Sequence, residues 1–148
     1  MPTVAQWIDV PCAHELRQIH MRQVNLVCIT HGYKDIWHRD DWQRHQPGAL
    51  LLFAAQTQWR IHNHPDKNGS YKAQVLAVRD EWLQKFHQQH ADLTAQKVSS
   101  LQTLPLNGWL QLAWQRVTDP EMAEASTGLT EHRVMELLLI LAETGHSF

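Results

Sequence analysis

Residues 71–90 read YKAQVLAVRDEWLQKFHQQH, and within this stretch the hydrophobic periodicity changes. Tyr71 to Arg79 is predicted to be a strand that pairs with the one before it. Asp80 is a suitable N-cap, and the apolar side chains that follow it recur at helical spacing (Trp82, Leu83, Phe86). We therefore predict an α+β chain, with a β-rich part over residues 1–80 and a helical part over residues 81–148.

Several short strands precede this change. Val24 to Thr30 is rich in β-branched and apolar residues on both faces, and Ala49 to Ala55 is predicted to be a buried strand. Pro47-Gly48 between them is a strong turn signal. Thr57 to Asn63 alternates, which predicts Trp59, Ile61 and Asn63 on one face. Many short strands separated by turns predict a barrel or a sandwich.

Two amphipathic helices are predicted after the polar stretch 91–104, which is interpreted as a linker. The first starts near Pro105 and has an apolar face that includes Trp109 and Trp114. The second runs from about Thr130 to Glu143 and is apolar around much of its circumference. Such a helix is either central to the core of its own domain or also pairs with a second subunit.

The charge balance argues against a DNA-binding surface. Residues 1–80 carry nine Lys/Arg and seven Asp/Glu, a net +2, and residues 81–148 carry four and eight, a net −4. Neither half has the basic surface that phosphate contacts require. Two cysteines, Cys12 and Cys28, do not make a disulfide framework. Because no signal peptide and no membrane-spanning run is visible, we expect a cytoplasmic protein without a membrane partner.

Catalytic motifs are missing: no nucleophile elbow, phosphate-binding loop or CxxC pair is present, and no cofactor is predicted. Among the eleven histidines, His62 and His64 fall on one side of a strand, as in metal-binding cupins. No Glu follows them at the expected distance, so surface or hydrogen-bonded histidines are the favoured interpretation. Histidines that sense pH are a third alternative.

Aromatic side chains of the β-rich part are candidates for a pocket inside the barrel. Alternation directs Trp59 and Tyr71 inward, and the full predicted ligand-binding set is Trp7, His20, Trp37, Trp59 and Tyr71. Aromatic residues that simply fill the barrel are the alternative.

Two segments carry a family resemblance: Gln46 to Leu52 (QPGALLL) and His132 to Leu141 (HRVMELLLIL). The second resembles the end of the N-terminal domain of AraC-type transcription regulators. The resemblance implies a cupin-like barrel that binds a signal, helices that dimerise, and a further domain with two helix-turn-helix units that bind DNA. No helix-turn-helix follows in this chain, which is therefore expected to be part of a longer protein, and most members of the family are activators.

We therefore expect a regulatory domain and not an enzyme. The expected partners are a small-molecule effector or a regulatory protein, DNA only through the missing domain, and a second copy. The expected pairing residues of the last helix are Arg133, Glu136, Leu137, Ile140 and Leu141. The alternatives are a small metal-dependent cupin enzyme and a stand-alone sugar- or acid-binding cupin.

Overall fold

The computed structural model describes residues 5–10, 12–93 and 99–148, with residues 14–17 described by their backbone. The strands are β1 (Ala5–Val10), β2 (His14–Met21), β3 (Val24–His31), β4 (Tyr33–His38), β5 (Asp41–His45), β6 (Ala49–Phe53), β7 (Thr57–His64), β8 (Tyr71–Val78) and β9 (Leu101–Pro105). The helices are α1 (Asp80–Gln89), α2 (Gly108–Thr118) and α3 (Thr127–Glu143), with short 3-10 turns at Ala91–Leu93 and Pro120–Glu124. The predicted α+β order is confirmed.

The strands form two antiparallel sheets that enclose one apolar core. The five-stranded sheet has the order β1-β8-β3-β6-β9, and the four-stranded sheet has the order β2-β7-β4-β5. Buried side chains from both sheets meet between them: Val27, Ile29, Ile36, Leu51, Phe53, Trp59, Ile61, Tyr71 and Ala73. This is the barrel interior. Since Trp59, Ile61 and Asn63 are all buried, the face predicted for β7 is confirmed.

The helices cover the outer face of the five-stranded sheet and build a second core there. Leu26 and Cys28 of β3 pack in this second core, whereas Val27 and Ile29 face the barrel. A strand that is buried on both faces needs no polar alternation, which explains the apolar residues from Leu26 to Ile29. Cys28 is a free, buried thiol.

The boundary between the barrel and the helical part differs from the prediction. Arg79 is the N-cap of α1 and Asp80 is its first residue. The stretch 91–104, interpreted as a linker, contains β9, which pairs with β6. The part after residue 80 therefore completes the five-stranded sheet and is not purely helical. Leu101 packs against the barrel core and Leu104 against the helical core, so no alternation marks this strand in the sequence.

The two last helices also differ in detail. Trp109, predicted on the apolar face of α2, is 77% exposed. Helix α3 begins at Thr127, before the predicted Thr130, because the Ser126 side chain accepts a hydrogen bond from the Leu129 amide. No helix in the described ranges is long and apolar enough to cross a membrane.

Candidate ligand-binding site

The structure brings together two of the five predicted pocket residues. Trp59 and Tyr71 face the barrel interior. Trp7 is 58% exposed on β1, Trp37 is 39% exposed, and His20 is exposed. These three side chains do not line the interior, because each lies on the outward phase of its strand. The predicted set therefore divides into an inner pair and three outer residues.

A lysine is the unexpected occupant of the barrel interior. Lys34 is only 5% exposed, and its Nζ donates a 2.6 Å hydrogen bond to Oδ1 of Asn63, which is 1% exposed. Among the described residues, no carboxylate pairs with this ammonium group. A buried charge without a counter-ion is costly, so the protein favours the neutral amine unless an anion is supplied.

The electrostatics of Lys34 follow from its burial. Desolvation lowers the pKa of Lys34 to about 7. Near neutral pH the amine is thus divided between its charged and neutral forms. An anion bound beside it would favour the ammonium form and raise its pKa again.

Two further polar groups around Lys34 lack hydrogen-bond partners in the described structure, the hydroxyl of Tyr71 and Nε2 of His45. His45 lies directly opposite Lys34 in the register of β4 and β5, and Lys34 Nζ lies 5.3 Å from the centre of the Tyr71 ring. Burial, and then the charge of Lys34, lowers the pKa of His45. Burial raises the pKa of Tyr71, so this phenol stays protonated near neutral pH. We call Lys34, His45, Asn63 and Tyr71 the inner polar cluster.

The remaining interior wall is apolar. Ile36 and Ile61 adjoin the cluster on the same strands as Lys34 and Asn63, and Phe53 packs edge-on to Trp59 at 5.2 Å. The Trp59 indole N–H is already used, since it donates a 2.7 Å hydrogen bond to Thr57. The interior thus combines a polar end, which includes the buried amine of Lys34, with apolar side chains.

Lys34 and His45 were not among the site residues predicted from the sequence. A signal was nevertheless present: alternation within YKDIWH places Lys34 in phase with Ile36, which is fully buried. A lysine at a core-facing position of a strand is rare and indicates a function when it occurs.

The predicted histidine pair lies outside the barrel. The rings of His62 and His64 are 3.9 Å apart, and His64 Nε2 lies 3.2 Å from Asp35. Arg44 donates two hydrogen bonds to the same carboxylate, at 3.0 and 3.2 Å, and Tyr33 stacks on His64. In the described part of the chain, no group of three or more His, Cys, Asp or Glu side chains is placed to hold a metal ion.

The predicted pairing residues of α3 have different environments. Leu137 and Leu141 are fully buried in the core of their own chain, so their side chains are not available to a second copy. Arg133 donates hydrogen bonds to the carbonyl of Arg116 and to the Met122 sulfur. The apolar stripe of α3 packs in the helical core of its own chain.

The exposed surface beside α3 is a groove of about 730 Å³ between α2 and α3. Glu136 and Ile140 line it from α3, and Trp109 from α2. Leu112 adds a half-exposed apolar side chain on α2. We call Trp109, Leu112, Glu136 and Ile140 the α2–α3 face.

No protein-family model and no curated protein matches this chain by sequence. Among solved structures, it is similar to ToxT from Vibrio cholerae with an unsaturated fatty acid bound, with a TM-score of 0.70, 8% identity, and coverage of 97% of this chain and 56% of ToxT. For ToxT bound to a methylnaphthalenyl butenoic acid, the TM-score is 0.67 and the identity 8%, with coverage of 97% of this chain and 58% of ToxT. For the AraC-like transcriptional activator CuxR, the TM-score is 0.62 and the identity 11%, with coverage of 95% of this chain and 51% of CuxR.

These similarities show the fold. The predicted β-barrel with C-terminal helices is confirmed, and the chain shares this fold with the matched parts of ToxT and CuxR. The chain spans little more than half the length of each regulator structure that it matches.

Proposed function

We propose that this chain is the effector-sensing regulatory domain of an AraC-type transcription regulator, and that it controls DNA binding by a helix-turn-helix domain outside the chain. The fold that it shares with ToxT and with the activator CuxR supports this proposal. The near-neutral charge of the chain also agrees with a separate DNA-binding domain. A bacterial regulator that acts on DNA works in the cytoplasm, which is the location we propose.

The effector that we propose is a carboxylic acid with an apolar tail. One observation carries this proposal: Lys34 is buried in the barrel, and no carboxylate among the described side chains pairs with it. A ligand carboxylate would supply the missing counter-ion, and its tail would lie along the apolar wall. Both acids that the ToxT structures hold have this composition, a carboxyl group on a largely apolar skeleton.

We propose that a bound acid acts on the helices through β8. Tyr71 of the inner polar cluster and Gln74 belong to the same strand, β8. The indole N–H of Trp114 on α2 donates a 3.0 Å hydrogen bond to Gln74. An acid that binds one of two arrangements of β8 and α2 more tightly would shift the equilibrium toward that arrangement. The size of the shift is set by the difference between its affinities for the two arrangements.

The partner that we propose is a second copy, bound through the C-terminal helices. Because Leu137 and Leu141 face the core, pairing would use the α2–α3 face. Trp109 offers a large exposed anchor there, and the adjacent groove offers a place for the partner's indole. A two-fold contact uses the same patch on both subunits. A protrusion beside a groove would make this patch complementary to itself.

The experiment that tests the effector is isothermal titration of the purified chain with oleate. We expect binding, and we expect Lys34→Met to reduce the affinity about tenfold or more, because a buried charge-assisted hydrogen bond is worth about 1.5–3 kcal/mol. Oleyl alcohol, which keeps the tail and lacks the charge, should bind the two proteins equally.

The matched control is Lys72→Met, on the outward phase of β8, where Lys72 lies 3.9 Å from Asp9. This variant should bind oleate like the unmodified chain. Equal oleate affinity for the Lys34→Met protein and the unmodified chain would refute the proposed role of Lys34.

A further inference from the structure

The amine of Lys34 is held in the position of a nucleophile. It lies inside the barrel, and among the described residues its Nζ makes one hydrogen bond, to Oδ1 of Asn63 at 2.6 Å. An amide oxygen accepts N–H hydrogen bonds and donates none. This contact therefore fixes Nζ in place and leaves the lone pair of the neutral amine uncommitted.

Burial makes this neutral form abundant near neutral pH. Desolvation lowers the pKa of Lys34 to about 7, so about half of the molecules carry the neutral amine at pH 7. A lysine in water, with a pKa of about 10.4, is neutral in less than about a thousandth of the molecules at that pH. Since only the neutral amine attacks a carbonyl carbon, a desolvated lysine reacts far more readily than an ordinary one.

Two groups beside Lys34 are available to transfer protons. The Tyr71 hydroxyl and Nε2 of His45 are buried and have no hydrogen-bond partner in the described structure. Burial raises the pKa of Tyr71 and lowers that of His45, so near neutral pH the phenol keeps its proton and the imidazole is able to accept one. Nζ lies 5.3 Å from the centre of the Tyr71 ring, and His45 lies opposite Lys34 in the strand register.

A nucleophilic amine with a proton donor and a proton acceptor matches the chemistry of imine formation. Nζ adds to the carbonyl carbon of an aldehyde, the nitrogen loses a proton to Nε2 of His45, and Tyr71 protonates the carbonyl oxygen. His45 then returns its proton to the phenolate. The new hydroxyl group leaves as water with the second proton of the nitrogen, and a C=N double bond remains. One amine and one aldehyde give one imine and one water, without any oxidant or reductant.

The apolar side chains around the inner polar cluster favour one kind of aldehyde. Ile36, Phe53, Trp59 and Ile61 belong to the same buried cluster as Tyr71. A polar or charged carbonyl compound would lose its hydration among these side chains, whereas an alkyl chain gains free energy on leaving water. The carbonyl carbon of an aldehyde is also less crowded than that of a ketone. The surroundings thus match an aldehyde with an alkyl tail.

The imine would also remove two electrostatic costs from the barrel interior. A neutral imine replaces an ammonium group that has no described carboxylate beside it. The imine nitrogen accepts hydrogen bonds, and the buried Tyr71 hydroxyl is a donor that has no acceptor in the described structure. Water hydrolyses an imine back to the amine and the aldehyde, so the capture is reversible, as a signal requires.

We propose that Lys34 captures an apolar aldehyde as a reversible imine inside the barrel, with Tyr71 as the proton donor and His45 as the proton acceptor. This proposal rests on the proposed function in one respect, the entry of an apolar ligand into the barrel. It differs in that it uses the neutral amine and a covalent bond, whereas an acid pairs with the ammonium form.

The test is incubation of the chain with decanal at pH 7 and sodium cyanoborohydride, which reduces an imine to a stable secondary amine. Mass spectrometry counts the decyl groups, and peptide mapping locates them. We expect the first decyl group on Lys34, and Lys34→Met should lose this fast modification. Tyr71→Phe, which keeps the ring and removes the hydroxyl, should slow it about tenfold or more. The peptide map of the unmodified chain decides the site even if a variant fails to fold.

Lys72→Met is the matched control, because it removes a lysine that lies near Asp9 on the outward phase of β8. It should be modified as fast as the unmodified chain. Decyl groups spread evenly over the lysines, or equal rates for Lys34→Met and the unmodified chain, would show that the proposal is wrong. An unchanged rate in Tyr71→Phe would refute the role of the phenol.

The titration with oleate separates this proposal from the acid site. Capture of decanal on Lys34 without oleate binding would refute the acid effector and support the imine. Oleate binding without capture of decanal would refute the imine alone.

Discussion

Lys34 and Asn63 face each other directly across β4 and β7, and Nζ of the lysine donates a 2.6 Å hydrogen bond to the amide oxygen of the asparagine. An amide oxygen satisfies one of the three ammonium donors without neutralising the charge. When Lys34 is protonated, this pair therefore holds the ammonium group in place without a described carboxylate to compensate its charge. Two predictions follow from that imbalance.

The first concerns stability. The free energy of unfolding should rise from pH 7 to pH 9, because the unfolded lysine, with a pKa of about 10.4, keeps its proton while the folded one loses it. The rise from this group is at most about 1.4 kcal/mol per pH unit. Urea denaturation at pH 7, 8 and 9 measures it. In Lys34→Met the rise should be absent, and an equal slope in both proteins would show that another group causes it.

The second concerns the acid ligand. Since the charged lysine binds the carboxylate, the complex takes up a proton above pH 7, where the free amine is mostly neutral. The affinity for oleate should therefore fall from pH 7 to pH 9, by up to about tenfold per pH unit. Titration calorimetry in two buffers of different ionisation enthalpy measures the proton uptake directly. A pH-independent affinity with no proton uptake contradicts this mechanism.

Pairing through the α2–α3 face gives a third prediction. Trp109→Ala should raise the dissociation constant of the dimer at least about thirtyfold, since anchor residues contribute about 2 kcal/mol or more. Sedimentation velocity over a range of concentrations measures this. Trp7→Ala serves as control, because it removes an exposed tryptophan from another surface. Unchanged sedimentation of the Trp109→Ala protein would refute this surface.

The fourth prediction separates core from interface within α3. Leu137 is fully buried, so Leu137→Ala should lower the free energy of unfolding by about 2–5 kcal/mol through the cavity it leaves. Thermal and urea denaturation at constant protein concentration measure this loss. If Leu137→Ala kept the stability of the parent chain and only halved the molecular mass, Leu137 would be an interface residue after all.

Periodicity predicted the elements that depend on local patterns. The change from strand to helix near Asp80 and the inward face of Trp59 and Ile61 are both visible in the spacing of apolar residues. The existence of α3 follows from the same signal, although its first turn is set by the Ser126 cap.

The features that sequence reasoning missed depend on contacts between distant segments. β9 has one apolar residue for each of two cores, and its partner β6 is far away in the sequence. The pairing of Lys34 with Asn63 depends on the register of β4 and β7, which the spacing of apolar residues does not specify. The register shift between Leu16 and Ile19 on β2 likewise leaves no mark in the spacing of apolar residues.

Strand β9 also constrains how this protein can be made and divided. Until residues 101–105 leave the ribosome, the hydrogen-bonding edge of β6 has no partner, and Leu50 and Leu52 lack the helices that bury them. A fragment that stops at residue 80 would therefore expose an open apolar edge and aggregate during synthesis. We therefore expect the barrel and the helices to fold as one unit, so in engineered fusions they should be exchanged together.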